Sequence, residues 1–439
     1  MTALSTLAAR LAAIDYGQFQ PKVLEAARQR LFDTVASFVA GTASPEGRVL
    51  RRLLELSPAG TAELIRYACG ATRCTEVDDI HIPSCTTVGS MIVPAALLAA
   101  AARQADDRDV LCSLVAGYEA MTRLGCAVDG ALLIYQGVWS TYLTTPFSVA
   151  AGLARLFKLD AEQTAHAMAM AITRSSGMAG RTAGPHGSRW FTAGAAAADG
   201  YWAAQAAGIG MIGDLTILEM SFAKATGVKL HAGRLVEGAG EWGILDIDTK
   251  PFRTSRQALS ATEAYLRVAK GRSPEEVDSV QAWVPGQVRA MVDNPNFSLG
   301  VQRQIALAAY DSMALWDVAQ TRPQDDEALR AFAAKVTVNE DQELTGRYPL
   351  QWGGRVEVRF AGGATSSAEV LDPPGSARAP YSWDDLLRKH QTVAHTSELP
   401  ADWLEPAQRL CRGFGTEPAT SRARELVELL PGLPPLSAG

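Results

Sequence analysis

Apolar and polar positions change rhythm once along this chain. Up to about residue 245, apolar residues recur three and four apart, the spacing of one face of a helix. "PKVLEAARQRLFDTVASFVAGT" shows it and predicts a helix ending at Gly41. "DRDVLCSLVAGYEAMTRLGCAV" and "TTPFSVAAGLARLFKL" repeat it, with Trp139, Tyr142, Thr144 and Thr145 read as preceding the helix of the latter. "DAEQTAHAMAMAITRSSG" adds a start signal: Asp160 is a candidate N-cap and Gln163 stands three residues on, the spacing of a capping box. The amphipathic start "MTALSTLAARLAAIDYGQF" reads as a first helix, because no basic segment precedes a long apolar one.

Beyond Lys250 the period shortens to two, the mark of half-buried strands, in "VDSVQAWVPGQVRAMV", "AAKVTVNED" and "GGRVEVRFAGGATSSAEVL". "FAGGAT" predicts a hairpin turn, "DPPGSARAP" a loop, and "SWDDLLRKHQTVA" a helix capped by Ser382. From Pro400 onward a short helical tail is expected. The pattern predicts a mainly α protein: a large all-helical domain over 1–255, a smaller α+β domain over 256–394, and a segment over 395–439 returning to the helical domain.

Composition narrows the function classes. With 439 residues, 47% hydrophobic and 20% charged, the chain can bury a large core. A net charge of −6 argues against nucleic acid as a partner. No apolar run is long enough to span a bilayer, so no membrane contact is expected and the location expected is cytoplasmic. The six cysteines lack paired spacing and read as buried, reduced thiols. No phosphate-binding, zinc-protease or serine-hydrolase motif is present.

Chemistry concentrates in a few stretches. "TEVDDIHIPSCTTVGSMIVPAALLAA" sets Glu76, Asp78, Asp79 and His81 just before a Pro-initiated apolar segment. Such a loop supplies a general base or holds one in place, and it equally suits a solvated helix cap. In "SRWFTAGAAAADGYWAAQAAG", Arg189 precedes a small-residue helix expected to start near Gly194, where a cation beside free N–H groups would make a carboxylate corner. "KPFRTSRQ" clusters Lys250, Arg253 and Arg256 at the inferred domain boundary. Arg303 interrupts an apolar helical pattern and needs an anionic partner or ligand.

Taken in order, these stretches resemble the MmgE/PrpD family, which includes 2-methylcitrate dehydratase, cis-aconitate decarboxylase and iminodisuccinate epimerase. "RLFDTVASFVAGTASPEG" is similar to its early helix, and the 75–100 stretch to its Asp-Asp-Thr-His signature. "GVWSTYLTTPFSVAAGLARLFKL", "SRWFTAGAAAADGYWAAQAAG", "KPFRTSRQ" and "VTVNEDQELTGRYPLQWGGRVEVRFAGG" resemble further stretches of the family and follow in the same order. The resemblance implies a helical domain with a smaller α+β lid domain, a homodimer, an active site between the domains, and no metal or other cofactor. It implies a lyase, either dehydratase or decarboxylase, for a small-molecule carboxylate. The alternatives are an isomerase, epimerase or cyclase of specialised metabolism, and a non-catalytic metabolite-binding homologue.

This chain departs from the family's pattern at the positions that matter most. Glu76 stands where the family carries a catalytic Asp, Ile80 where it has Thr, and Thr87 and Trp139 where it has His. Arg189 replaces a Lys, Leu259 a His, and Arg303 falls at a pocket Tyr. Histidines are lost and arginine, which does not give up its proton, is gained. The catalytic residues expected on this basis are Lys250, Glu76, His81 and Asp79. Arg189, Arg256, Thr87, Trp139, Tyr142 and Arg303 are expected to bind substrate.

Overall fold

The computed structural model describes residues 2–56, 60–178, 187–238, 242–294, 297–323 and 325–434. It is mainly α-helical and falls into two compact units, one formed by 1–247 with 401–439 and the other by 248–400.

The first unit opens with helices α1 (Ala3–Ala12), α2 (Pro21–Ala43), α3 (Pro45–Leu54) and α4 (Thr61–Arg73), followed by a two-residue extended segment β1 (Asp79–Ile80). Next come α5 (Gly89–Arg103), α6 (Asp107–Ala127), the single turn α7 (Gly130–Leu133), α8 (Ser140–Leu156), α9 (Ala161–Ile172) and α10 (Ser188–Gly208). Short turns α11 (Ala223–Thr226) and α12 (Gly233–Val236) complete it. Helix α8 packs on α6, α10 on both α8 and α4, and α5 on α8 and α4. Helix α5 is buried from Gly89 through Ala101, an apolar rod at the centre.

Several expectations hold in detail. Asp160 and Gln163 form the capping box of α9. Other expectations are corrected by packing. Helix α2 runs past Gly41 to Ala43, and Gly41 is there because a Cβ would sit 1.9 Å from the carbonyl oxygen of Ala71 on α4. Pro94 lies inside α5, which begins at Gly89, and Pro146 lies inside α8. Buried helices tolerate such prolines where neighbouring groups meet the freed carbonyls. Near Pro146, Thr144 donates to the Ser140 carbonyl and Thr145 to that of Thr141, so both threonines lie within the helix and not before it.

The second unit begins with the extended pair β2 (Asp248–Thr249) and helix α13 (Arg256–Val268). Strand β3 (Val277–Pro285), helices α14 (Gly286–Val292), α15 (Val301–Tyr310) and α16 (Glu327–Ala333), strand β4 (Val336–Asp341) and helix α17 (Gln342–Arg347) follow. Strands β5 (Gly354–Phe360) and β6 (Thr365–Val370) and helix α18 (Trp383–Thr396) close it. The sheet order is β4-β3-β5-β6; β3 and β4 are parallel and the other pairs antiparallel. Helix α13 covers β5 and β6. Gly362 and Gly363, with φ of +86° and +88°, make the β5–β6 hairpin, and Ser382 caps α18. The alternating run 277–292 is a strand only as far as Pro285. Its remainder, "GQVRAMV", is α14, in which Val288 and Val292 stand one helical turn apart and are buried. A four-residue spacing satisfies both periods, so the sequence could not separate them.

The chain then returns to the first unit as α19 (Leu404–Gly413) on α2 and α20 (Ala423–Leu429) on α5. Buried Asp107, at the start of α6, ties this return down: it accepts from the Arg422 backbone N–H at 2.7 Å and from the Thr420 hydroxyl at 2.7 Å. All six cysteines are free thiols, five of them buried and Cys126 half-buried. Among the described residues no helix is long and apolar enough to cross a membrane.

Candidate active site

The acidic loop lies between α4 and α5, and Glu76, Asp78, Asp79 and His81 are all buried. Residues Glu76 and Cys85 near its two ends adopt left-handed backbone, φ +56° and +51°, which costs a non-glycine residue energy and marks tightly defined turns. Ser84, near its apex, is held against α6 and α7. A Cβ on Gly125 would meet the Ser84 Cβ at 2.5 Å, and one on Gly130 the Ser84 carbonyl at 2.2 Å. The Ser140 hydroxyl, at the start of α8, donates to that carbonyl at 3.0 Å.

Two arginines meet Glu76. Arg73, the last residue of α4, places Nη1 at 2.8 Å from Glu76 Oε2 and 3.5 Å from Asp78 Oδ1. Arg189 Nη2 donates to Glu76 Oε1 at 2.8 Å. Burial acts to lower the Arg73 pKa, but the Asp78 and Glu76 carboxylates outweigh it and hold the guanidinium charged more firmly than usual. The expected helix start is corrected here: α10 begins at Ser188, so Arg189 belongs to its first turn. Gly194 is instead a contact point, where a Cβ would lie 2.0 Å from the Arg66 carbonyl of α4; one on Gly70 would lie 2.9 Å from the Trp190 carbonyl. These two glycines let α10 approach α4 closely enough to set Arg189 and Trp190 beside Arg73.

Aromatic rings surround the guanidiniums. The Arg189 guanidinium carbon lies 4.7 Å from the centre of Trp139 and 3.9 Å from that of Trp190, and Arg73 stands 5.6 Å from Trp190. Trp139 stacks on Tyr142 at 6.0 Å. Trp139 therefore presents a ring that packs against the Arg189 guanidinium and carries no acid–base function.

His81 is held on both ring nitrogens. Nδ1 shares a 2.7 Å hydrogen bond with Ser84 Oγ, which also contacts Thr86 Oγ1 at 2.6 Å, while Nε2 lies 3.5 Å from Asp246 Oδ2. These are the residue types of a hydrolytic triad in a different arrangement. Ser84 is fully buried and the Asp246 side chain is 61% exposed, so the serine orients the histidine and is not presented to a substrate.

Asp79 and Thr87 have structural tasks. Asp79 accepts the Gly89 N–H at 2.7 Å and the Tyr118 hydroxyl at 2.6 Å, capping α5 with both oxygens engaged. Burial raises its pKa to about 6 against the opposing pull of Arg30 and those hydrogen bonds. Both of its oxygens are thus engaged by donors of the same unit. Thr87 donates its backbone N–H to the Thr141 hydroxyl oxygen at 3.0 Å, joining the loop to α8.

The remaining expected residues belong to the second unit. Lys250 is buried. Arg256 donates through Nε to Asp248 at 2.7 Å and through Nη1 to the Trp352 carbonyl at 3.0 Å, so two of its three nitrogens are committed inside the unit. Arg303 pairs with Asp325 at 3.1 Å, an acid that Arg330 also contacts at 3.0 Å. Arg73, Ser84, Trp190 and Asp246 were not singled out from the sequence. Only Arg73 left a local signal, three residues before Glu76. A groove of about 590 Å³ between α19 and α20, lined by Arg409, Arg422, Glu425 and Glu428, shares no residue with this constellation.

Residues 5–228 match the MmgE/PrpD N-terminal domain and residues 252–401 the MmgE/PrpD C-terminal domain. Among curated relatives, a cis-aconitate decarboxylase of Aspergillus terreus is 23% identical over 426 residues, covering 85% of each chain. A cis-aconitate decarboxylase-like protein, oryM, of Aspergillus oryzae is 27% identical over 176 residues, 36% of each chain.

Proposed function

The chain belongs to the MmgE/PrpD family, and from that premise we propose that it is a lyase that releases CO2 from a small unsaturated carboxylic acid. The names of its relatives support carbon–carbon lyase chemistry. One observation favours decarboxylation over dehydration: among the described residues the acidic loop sets one histidine, His81, beside the guanidiniums of Arg73 and Arg189, while both Asp79 oxygens are taken by the Gly89 N–H and the Tyr118 hydroxyl. Dehydration needs a base to take a C–H proton and an acid to protonate the departing hydroxyl. Decarboxylation needs less. The bond between the carboxyl carbon and its neighbour breaks, and the electron pair stays on the neighbour and spreads into the adjoining double bond. CO2 leaves, and one proton is returned.

In this reading His81 returns the proton from Nε2, with Ser84 fixing the ring through Nδ1. Arg189 and Arg73 orient carboxylate and stabilise the spreading negative charge. Proton NMR in D2O together with CO2 detection tests the proposal, using purified protein and cis-aconitate, 2-methylcitrate, citrate, itaconate and simple alkenoic acids. Release of CO2 with one deuteron gained by the product supports it, and His81→Gln should lower that rate at least about 100-fold. Water loss without CO2, or deuterium uptake without net conversion, would replace it with a dehydratase or an isomerase.

A further inference from the structure

Arg189 and Tyr142 each keep a buried donor with no acceptor among the described residues. Arg189 Nε is enclosed and makes no hydrogen bond, although Nη2 of the same guanidinium is engaged by Glu76. The Tyr142 hydroxyl, on a residue only 2% exposed, is likewise unmatched. Both side chains contact one indole, Trp139: the guanidinium at 4.7 Å and the phenol ring by stacking at 6.0 Å. Leaving a buried donor unmatched costs a folded protein stability, so two of them on one ring call for an explanation.

We infer that Arg189, Tyr142 and Trp139 form a subsite for one carboxylate whose attached carbons are planar and apolar. This deepens the decarboxylase reading and rests on it for where the substrate sits. The Arg189 guanidinium lies over the Trp139 and Trp190 rings, and its Nε–H still requires an acceptor. Tyr142 supplies a second O–H. The ring of Trp139 favours a conjugated or aromatic body over a hydrated, flexible chain. Charge limits the number of carboxylates. Arg73 and Arg189 already face Glu76 and Asp78, two positive charges against two negative, so this wall has no surplus positive charge for a multiply charged ligand and suits one carboxylate held by hydrogen bonds. Additional carboxylates would meet Glu76 and Asp78 as like charges.

Isothermal titration of the full chain tests this without requiring turnover. The probes are cinnamate, a planar monocarboxylate, and tricarballylate, a flexible tricarboxylate. Cinnamate should bind at least tenfold more tightly. Tyr142→Phe should weaken cinnamate about tenfold, the size of a hydrogen bond to a charged group, while thermal stability stays level or rises because an unmatched hydroxyl is gone. Trp139→Leu should weaken it as well. Tighter binding of tricarballylate, no binding of cinnamate, or cinnamate affinity indifferent to Tyr142→Phe would each overturn the subsite. The two readings fail separately. If cinnamate binds through Tyr142 but no acid releases CO2, the subsite stands and the decarboxylase falls. If a tricarboxylate is decarboxylated with KM unchanged by Tyr142→Phe, the reverse holds.

Discussion

Replacing Glu76 by Gln is the sharpest perturbation of the wall, because it changes charge at nearly constant shape. The carboxylate is buried and bridges Arg73 and Arg189, each at 2.8 Å. With charge centres about 4 Å apart and an effective dielectric near 20, each pair is worth roughly 4 kcal/mol of attraction. Much of that is offset by the water the three groups gave up on folding. What the variant exposes is the other side of the balance: among the described residues Arg189 loses its carboxylate and Arg73 keeps Asp78 alone, at 3.5 Å. Removing one partner of a buried pair costs about 3–5 kcal/mol. We expect Glu76→Gln to lower unfolding stability by about 3 kcal/mol, since the amide oxygen retains one hydrogen bond. Urea unfolding followed by tryptophan fluorescence is well suited, because Trp139 and Trp190 both contact Arg189. Glu76→Gly should be no more stable than Glu76→Gln, even though glycine relieves the left-handed backbone at φ +56°. A loss under about 1 kcal/mol in Glu76→Gln would mean that the bridge behaves as a solvated surface pair, and the charge argument for the wall would fall with it.

Three further outcomes follow from the structure. The Asp79 pKa is raised to about 6, so the native state holds this proton more tightly than the unfolded chain does. Its contribution is therefore complete below about pH 4 and is lost as pH rises to about 6, a span worth roughly 3 kcal/mol; wild type measured against Asp79→Asn by denaturation at pH 4 and pH 7 should show that fall, and a flat difference would contradict it. Gly194→Ala would put a Cβ 2.0 Å from the Arg66 carbonyl, so α10 must move off α4 at a cost of about 3 kcal/mol, seen in thermal unfolding; an unchanged Tm would show that the crossing is loose. Burial pushes the Cys112 thiol up to about 12 and the half-buried Cys126 up to about 11, and raises Cys69 and Cys411 as well; a thiol reagent at pH 8 should modify none of these four within minutes in native protein and all of them in urea, and rapid native labelling would refute that packing.

How far the sequence reached can be judged from particular elements. The capping box at Asp160 and Gln163, the Ser382 cap and the hairpin at Gly362 and Gly363 were all legible, because each is a relation among residues within a few positions. So was the change of period that separates helical from strand-rich chain. Gly41 and Pro94 were misread as punctuation for the same reason: local rules treat glycine as a stop and proline as a start. In the fold Gly41 is a contact with α4, and Pro94 lies inside a buried helix.

The composition of the candidate wall was partly visible. Glu76, His81, Trp139, Tyr142 and Arg189 could be picked out by residue type and by likeness to a family. Their partners could not. Glu76 and Arg189 are 113 residues apart, and they meet only because Gly70 and Gly194 bring α4 and α10 together. Whether Arg189 holds a ligand or an internal carboxylate, and whether Asp79 is a base or a helix cap, depends on which atoms lie within 3 Å. The sequence determined the helices, the strands and the residue types at the wall, because period, caps and turns act over one or two turns of chain. Pairing, burial and the direction of each donor were decided by tertiary packing alone, since they arise between elements whose meeting no local pattern encodes.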